Sequence, residues 1–472
     1  MIPLALAIVV TPCLAAIPAY LLRRWRIAEL MCALISCTAV CLALLVANSE
    51  SNAWASSFFT TSPVLIFGRS LQIHGFDQFM LLALFASSLI IFGLSWRSSN
   101  GWTFVPIGLV VLGLLSAAII VRPFIFSILL MEVVAALVAL MIQAEHIGQR
   151  STLGAIRFLA VTTIALPALF AANYLMNQGS QSLDAALQIG IREPASLLLA
   201  LGFVLLMGAF PLYTWTHTLT RDAPPIVTAF IATCTLCAVP VILISVQQEI
   251  PWLQGRDSLP LLRTFGILSI VFGGALAWAQ RSFARVLACA ISVESGASLL
   301  LLQLGTVESL QSLVVGMMMR SVSLGVLAIG LDILRASREK DDFKLLRGAF
   351  HAGPSARVAA FALAIGGLSL AGLPGTAGFL SEWLRSRAVA STDPELAALM
   401  LVAGASIAAG FLRGISAMLA RSSTLTHVPV RLRRSEFISV AGVAFSVVIL
   451  GLAPQWVLVL ARVAGLAIVN AR

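Results

Sequence analysis

Apolar runs of about 20 residues recur along the whole chain, separated by short polar segments, and each run is long enough to cross the hydrocarbon layer of a bilayer. Fourteen spans are predicted, at 2–22, 27–48, 78–96, 103–121, 123–143, 153–176, 196–216, 225–247, 262–280, 286–304, 309–334, 358–384, 396–420 and 436–460. Two of these runs are written unlike smooth helices. The segment LAGLPGTAGFLSEWL, residues 370–384, sets Pro374 between Gly372 and Gly375 and follows with Glu382. The span at 196–216 holds Pro211 and ends in the polar stretch THTLTRDAPP. Proline removes a backbone donor and clashes with the preceding turn, so both spans are expected to be interrupted.

Composition agrees with an all-α polytopic membrane protein: of 472 residues 60% are hydrophobic and 11% charged, with mean hydropathy +1.00. The first apolar run ends in Arg23, Arg24 and Arg26 and is too long for a cleavable leader, so it reads as a retained span. The net charge of +10 is spread over short loops and forms no stripe, which excludes a nucleic-acid partner. Placing both termini outside puts most Lys and Arg on the inside, including Arg97, Arg150 and the clusters 335–357 and 413–434. That is the arrangement of an integral protein of a bacterial inner membrane. The longest polar segment is about 20 residues, so no soluble domain is expected. No phosphate-binding loop, dinucleotide fingerprint or four-cysteine cluster occurs, so neither cofactor nor metal is expected. The spacing of Cys234 and Cys237 stands alone, and small apolar packing residues explain it. Uphill transport would then draw on an ion gradient or on partner subunits.

Ionisable groups within spans are costly and are functional candidates by default. Glu132 sits mid-span in LLMEVVAALVAL, Arg320 in MMMRSVSLGV, Glu294 in ACAISVESGASLL, and Glu382 closes the interrupted segment. Glu132 must face a polar interior, stay protonated, or bond to a backbone carbonyl. Arg320 keeps its proton at physiological pH, so it can hold water, tune a carboxylate, or serve as counter-ion to Glu294 or Glu132. Ser292, Ser295 and Ser298 give Glu294 a polar lining, or a small-residue packing face. His217 and Asp222 border the interrupted seventh span, where they either feed protons inward or cap the next helix.

Four segments carry a family resemblance: LLMEVVAALVAL, FPLYTWTHTLTRDAPPIVTAFIAT, RVLACAISVESGASLLLL and LAGLPGTAGFLSEWL. Over about residues 105–420 the chain resembles the antiporter-like subunits of respiratory complex I, Mrp-type cation/proton antiporters and membrane-bound hydrogenases. The resemblance implies two inverted five-helix repeats, at 103–247 and 262–420, with helices 7 and 12 interrupted. Residues 1–102 would supply three leading helices and 436–472 the last. It also implies a proton path through Glu132, Glu294, Arg320 and Glu382, with breaks at Pro211, Gly372, Pro374 and Gly375. Partners would be other membrane subunits and, indirectly, soluble redox or hydrogenase-like subunits, this chain being non-catalytic. The chain departs from the family where lysines are expected: Leu206 in the seventh helix, Leu236 or Ile231 in the eighth, and Arg320 for the eleventh-helix Lys. Glu294 stands where a tenth-helix His is usual. The alternatives are a non-pumping structural subunit and the membrane partner of an inorganic-carbon uptake complex.

Overall fold

The computed structural model describes residues 2–47, 59–60, 62–66, 68–96, 103–143, 152–181, 185–254, 259–337, 341–420, 434–453, 455 and 459. Arg97, Arg150, Lys340, most of the 413–434 cluster and the end of the fourteenth expected span lie outside them. The helices are α1 (Leu4–Leu21), α2 (Arg26–Ala47), α3 (Gly75–Leu94), α4 (Phe104–Ile120), α5 (Phe124–Gln143), α6 (Leu153–Gln181), α7 (Ala185–Met207), α8 (Thr214–Asp222), α9 (Pro225–Glu249), α10 (Pro260–Ala279), α11 (Phe283–Leu304), α12 (Val307–Ser337), α13 (Pro354–Leu370), α14 (Ala377–Ala390), α15 (Pro394–Leu419) and α16 (Arg434–Leu452). Among the described residues eleven helices are long and apolar enough to cross a membrane, and three shorter apolar ones accompany them. With α7–α8 and α13–α14 each counted as one broken span, the fourteen predicted spans are all accounted for. The protein is an integral membrane protein.

Spans 4–8 (α4–α9) and 9–13 (α10–α15) each place a broken span fourth. Five is an odd number, so the second set starts from the face opposite to that where the first starts, and the two run inverted. The centre of the molecule is α9, α11 and α12, each 94% buried over its most apolar window, whereas α1 and α2 are 33% buried and lie at the edge. The centre is where polar side chains meet protein in place of lipid. Capping sets the ends of α11: the Ser282 hydroxyl accepts from the Arg285 amide at 3.4 Å, and Gly305 closes the helix at φ 58°.

Two features depart from expectation. Short strands sit on the face that carries residue 2: β1 (Ile2–Pro3) pairs with β2 (Phe59–Thr60), and β3 (Val64–Ile66), β4 (Arg69–Leu71) and β5 (Val121–Arg122) form an antiparallel ribbon. The all-α expectation therefore holds for the membrane region and not for its loops. The seventh span also begins earlier than expected, at Ala185, and its second half ends at Asp222. A broken span needs more residues than a straight one to cross the same thickness.

Candidate functional site

Both breaks are made by the same local chemistry. At the second, Leu373 N–H donates to the Leu368 carbonyl and Gly372 N–H to that of Ser369, with Gly372 at φ 76°. At the first, Ala209 N–H donates to the Val204 carbonyl and Gly208 N–H to that of Leu205, with Gly208 at φ 63°. This paired bond around a left-handed glycine is the Schellman helix stop. Glycine, then, ends each helix, and Pro211 and Pro374 lie just beyond, where they prevent it from resuming. Gly208 was not among the expected break residues; its signal is a glycine three positions before Pro211. Gly378 lies inside α14, where an added Cβ would collide with the Ser369 carbonyl.

The second break assembles a buried charge quartet. Glu294 of α11, Arg320 of α12, and Glu382 and Arg385 of α14 meet beside the end of α13. Arg320 pairs with Glu294 through Nη1 and with Glu382 through Nη2, the latter at 2.6 Å. Arg385 donates to both Glu294 oxygens at 2.8 and 3.4 Å, and to Glu382 Oε2 at 3.0 Å. Two carboxylates and two guanidiniums sum to zero charge. Arg320, Arg385 and Glu294 are 3, 2 and 6% exposed, so the pairing replaces nearly all of their hydration. Arg320 also donates from Nη1 to the Leu370 carbonyl at 2.6 Å and from Nε to Ser381 Oγ at 3.1 Å. Leu370 is the last residue of α13, so the guanidinium satisfies a carbonyl that the break leaves without an intrahelical donor. At the start of α14 the Gly378 amide donates to Ser369 Oγ at 3.0 Å, and Ser369 in turn meets Ser323 of α12 at 2.7 Å.

Three of the four expected path residues, Glu294, Arg320 and Glu382, are thus in direct contact. Arg385 is the fourth member that the sequence reading missed. Hydropathy ends this span before Arg385 and leaves it at the interface, whereas the break carries α14 on to Ala390. Its spacing from Glu382, one helical turn, is the signal that could have found it. Glu132 stands apart. Its Oε1 accepts from Thr163 Oγ1 of α6 at 2.8 Å, its buried Oε2 has no hydrogen-bond partner, and among the described residues no ion pair includes it. The counter-ion role offered for Arg320 therefore goes to Glu294 and Glu382, not to Glu132.

Among the described residues the first break gathers no such charge. A cavity of about 40 Å³ beside it is lined by Leu206, Ile231, Phe230, Val134 and Cys234, with Thr162 and Thr235 its hydroxyl-bearing residues. A second cavity, of about 20 Å³, touches Glu294, Arg320, Arg385, Ser298 and Ser321, and Leu236 closes one side. Leu206, Ile231 and Leu236, where basic residues were expected, are therefore apolar walls. His217 of α8 is buried at Nε2 without a hydrogen-bond partner and meets the Tyr213 ring edge-on at 5.0 Å. Asp222 accepts from Arg221 Nε at 2.7 Å. Among the described residues no cluster of three or more His, Cys, Asp or Glu could hold a metal ion.

Inverted sets of five spans, each broken in the fourth, with charge buried at a break, define an antiporter-like membrane fold. Residues 124–408 match the NADH:quinone oxidoreductase/Mrp antiporter transmembrane family, and the chain belongs to it. The NADH-quinone oxidoreductase subunit N of Parafrankia sp. (strain EAN1pec) is 29% identical over 275 residues, 57% of this chain and 51% of that protein. The chain spans about half the length of the curated relatives it matches. A chain in the Mrp complex of Dietzia sp. DQ12-45-1b superposes with a TM-score of 0.80 at 15% identity, covering 99% of this chain and 96% of that one. A chain of Thermus thermophilus respiratory complex I with bound aureothin gives 0.71 at 19% identity, covering 97% and 99%. At these identities the superpositions speak for the fold.

Proposed function

We propose that the chain is the antiporter-like subunit of a multi-subunit, proton-translocating membrane complex driven by redox chemistry in its partners, and that its second repeat carries the proton site. The repeats are taken as 103–247 and 262–420, with 1–102 and 436–472 flanking them. The observation that carries the reading is the neutral quartet of Glu294, Arg320, Glu382 and Arg385 at the second helix break. Arginine does not release its proton, so the exchangeable sites are the two carboxylates. A proton on Glu294 leaves the quartet with one excess positive charge, and Arg320 and Arg385 are then drawn to Glu382. The cavity beside Glu294 has room for one water, bonded by Glu294, Ser298 or Ser321, to bring or remove that proton. Glu132, hydrogen-bonded toward α6 and next to an apolar cavity, has no part in this step.

The test is redox-driven proton uptake by vesicles holding the complex purified with its own partners. Glu294→Gln and Glu382→Gln are expected to abolish uptake, while Glu132→Gln leaves at least half. Full uptake in both quartet variants sinks the proposal. A specific observation favours a second reading, a structural subunit that does not conduct: both bases of the quartet are arginines, and the first cavity is apolar. That reading expects wild-type uptake in all three variants.

A further inference from the structure

Arg320 is one of two arginines through which α12 holds a broken span. About 22 Å further along the helix axis, at 1.5 Å per residue, lies Arg335. Its Nη2 donates to the Thr220 carbonyl at 2.9 Å and its Nη1 to that of Ala223 at 3.3 Å. These carbonyls close the C-terminal end of α8, the second half of the broken span in the first repeat. Arg335 also lies 3.6 Å from the Asp341 carboxylate, which accepts from the Ala284 amide at 2.7 Å, at the start of α11. One side chain thus joins the end of α8 to α11 and α12, the helices that bear Glu294 and Arg320.

The other end of α8 is tied in the same direction. The Phe210 amide, in the loop before α8, donates to Ser269 Oγ of α10 at 2.8 Å, and the Phe210 ring stacks on Phe272 of α10 at 4.1 Å. On its flank Trp215 packs edge-on against Phe158 of α6. At nine residues α8 is too short to persist by itself. Among the described residues, polar anchors at both of its ends come from the second repeat, although α8 belongs to the first.

We infer that α12 transmits the state of the quartet to α8, with Arg335 as the positioning residue. The inference rests on the reading of the quartet as a switching site. When a carboxylate partner of Arg320 is neutralised, α12 loses a fixed contact at mid-membrane and Arg335 shifts on the carbonyls of α8. Among the side chains of α8 is the imidazole of His217, whose buried Nε2 has no hydrogen-bond partner. The first repeat then acts as a gate worked by the second, a use for a half that has lost its lysines.

Hydrogen exchange of the full-length protein in nanodiscs tests this at the amides of 215–223. Glu294→Gln or Glu382→Gln should raise exchange there about tenfold, the scale of one lost charge-assisted hydrogen bond. Arg335→Gln should raise it to the same level, and adding Glu382→Gln to Arg335→Gln should change it no further, because both substitutions cut one link. Should Arg335→Gln fail to fold, Arg335→Lys supplies the same comparison with one donor group in place of two. Wild-type exchange in α8 upon Glu382→Gln, with raised exchange near Gly378 proving the quartet disturbed, overturns the coupling. So do effects that multiply in the double variant. Normal proton uptake with a responsive α8 removes the conduction reading and leaves the coupling standing.

Discussion

Arg320 shows why charge alone does not describe a buried basic residue. It meets two carboxylates, the Leu370 carbonyl and Ser381 Oγ at once, along directions that the planar guanidinium presents and a lysine ammonium does not. Arg320→Lys therefore keeps the sign of the charge and loses the geometry. It is expected to lower stability by about 2–4 kcal/mol, somewhat less than the ~3–5 kcal/mol lost when one partner of a buried pair is removed outright. Arg385→Ala, which does remove a partner, is expected at the upper end of that range. Thermal unfolding in nanodiscs measures both, and an Arg320→Lys protein as stable as wild type would show that the carbonyl and hydroxyl contacts contribute nothing. Glu294, Arg320 and Glu382 were legible as candidates because an ionisable residue in an apolar run is conspicuous. Arg385 was not, since its sequence position reads as the end of a span.

At the level of the element, the second break depends on two glycines for different reasons. Gly372 sits at φ 76°, and an added Cβ would lie 2.9 Å from Cβ and Cγ of Glu382. Gly375 sits at φ 83° with nothing within 4 Å of an added Cβ. Gly375→Ala then carries backbone strain alone, about 1–2 kcal/mol. Gly372→Ala carries the same strain and also pushes Glu382 out of the quartet. Unfolding temperatures should fall for both, while proton uptake falls for Gly372→Ala only. Equal losses of uptake would show that flexibility of the loop, not the placement of Glu382, is what the glycines provide. The proline was the readable mark of each break, but the helix stop itself was not: it needs the amides of Gly372 and Leu373 to reach back to Ser369 and Leu368, which is a matter of dihedral angles.

Across the whole molecule the two repeats share a plan and differ in content. The cavity near the first break is walled by Leu206, Ile231 and Phe230, and Glu132 accepts from Thr163, on α6. Leu206→Lys is therefore expected to give no new ion pair and to lower stability by about 2.5–3.5 kcal/mol, the insertion cost of a lysine at mid-membrane. A Leu206→Lys protein as stable as wild type, and destabilised on adding Glu132→Gln, would mean that the cavity still accepts the lost pair.

Hydropathy and the placement of glycine and proline determined by themselves that the chain spans the membrane, how many times it does so, and which two spans are interrupted. These are properties of single segments, since each span must by itself bury some 20 apolar residues and satisfy its own backbone bonds. Which charges meet was decided by tertiary structure alone. Glu294, Arg320 and Glu382 lie on three different helices, and Arg385 joins them because the break sets how far α14 extends. Pairing depends on helix rotation and depth, which arise from packing among α9, α11, α12 and α14. The sequence could thus name the ionisable residues and offer Arg320 as a counter-ion to Glu294 or Glu132, but not decide between them, nor show that Glu382 and Arg385 join the pair, nor that Arg335 ties the same helix to the opposite repeat.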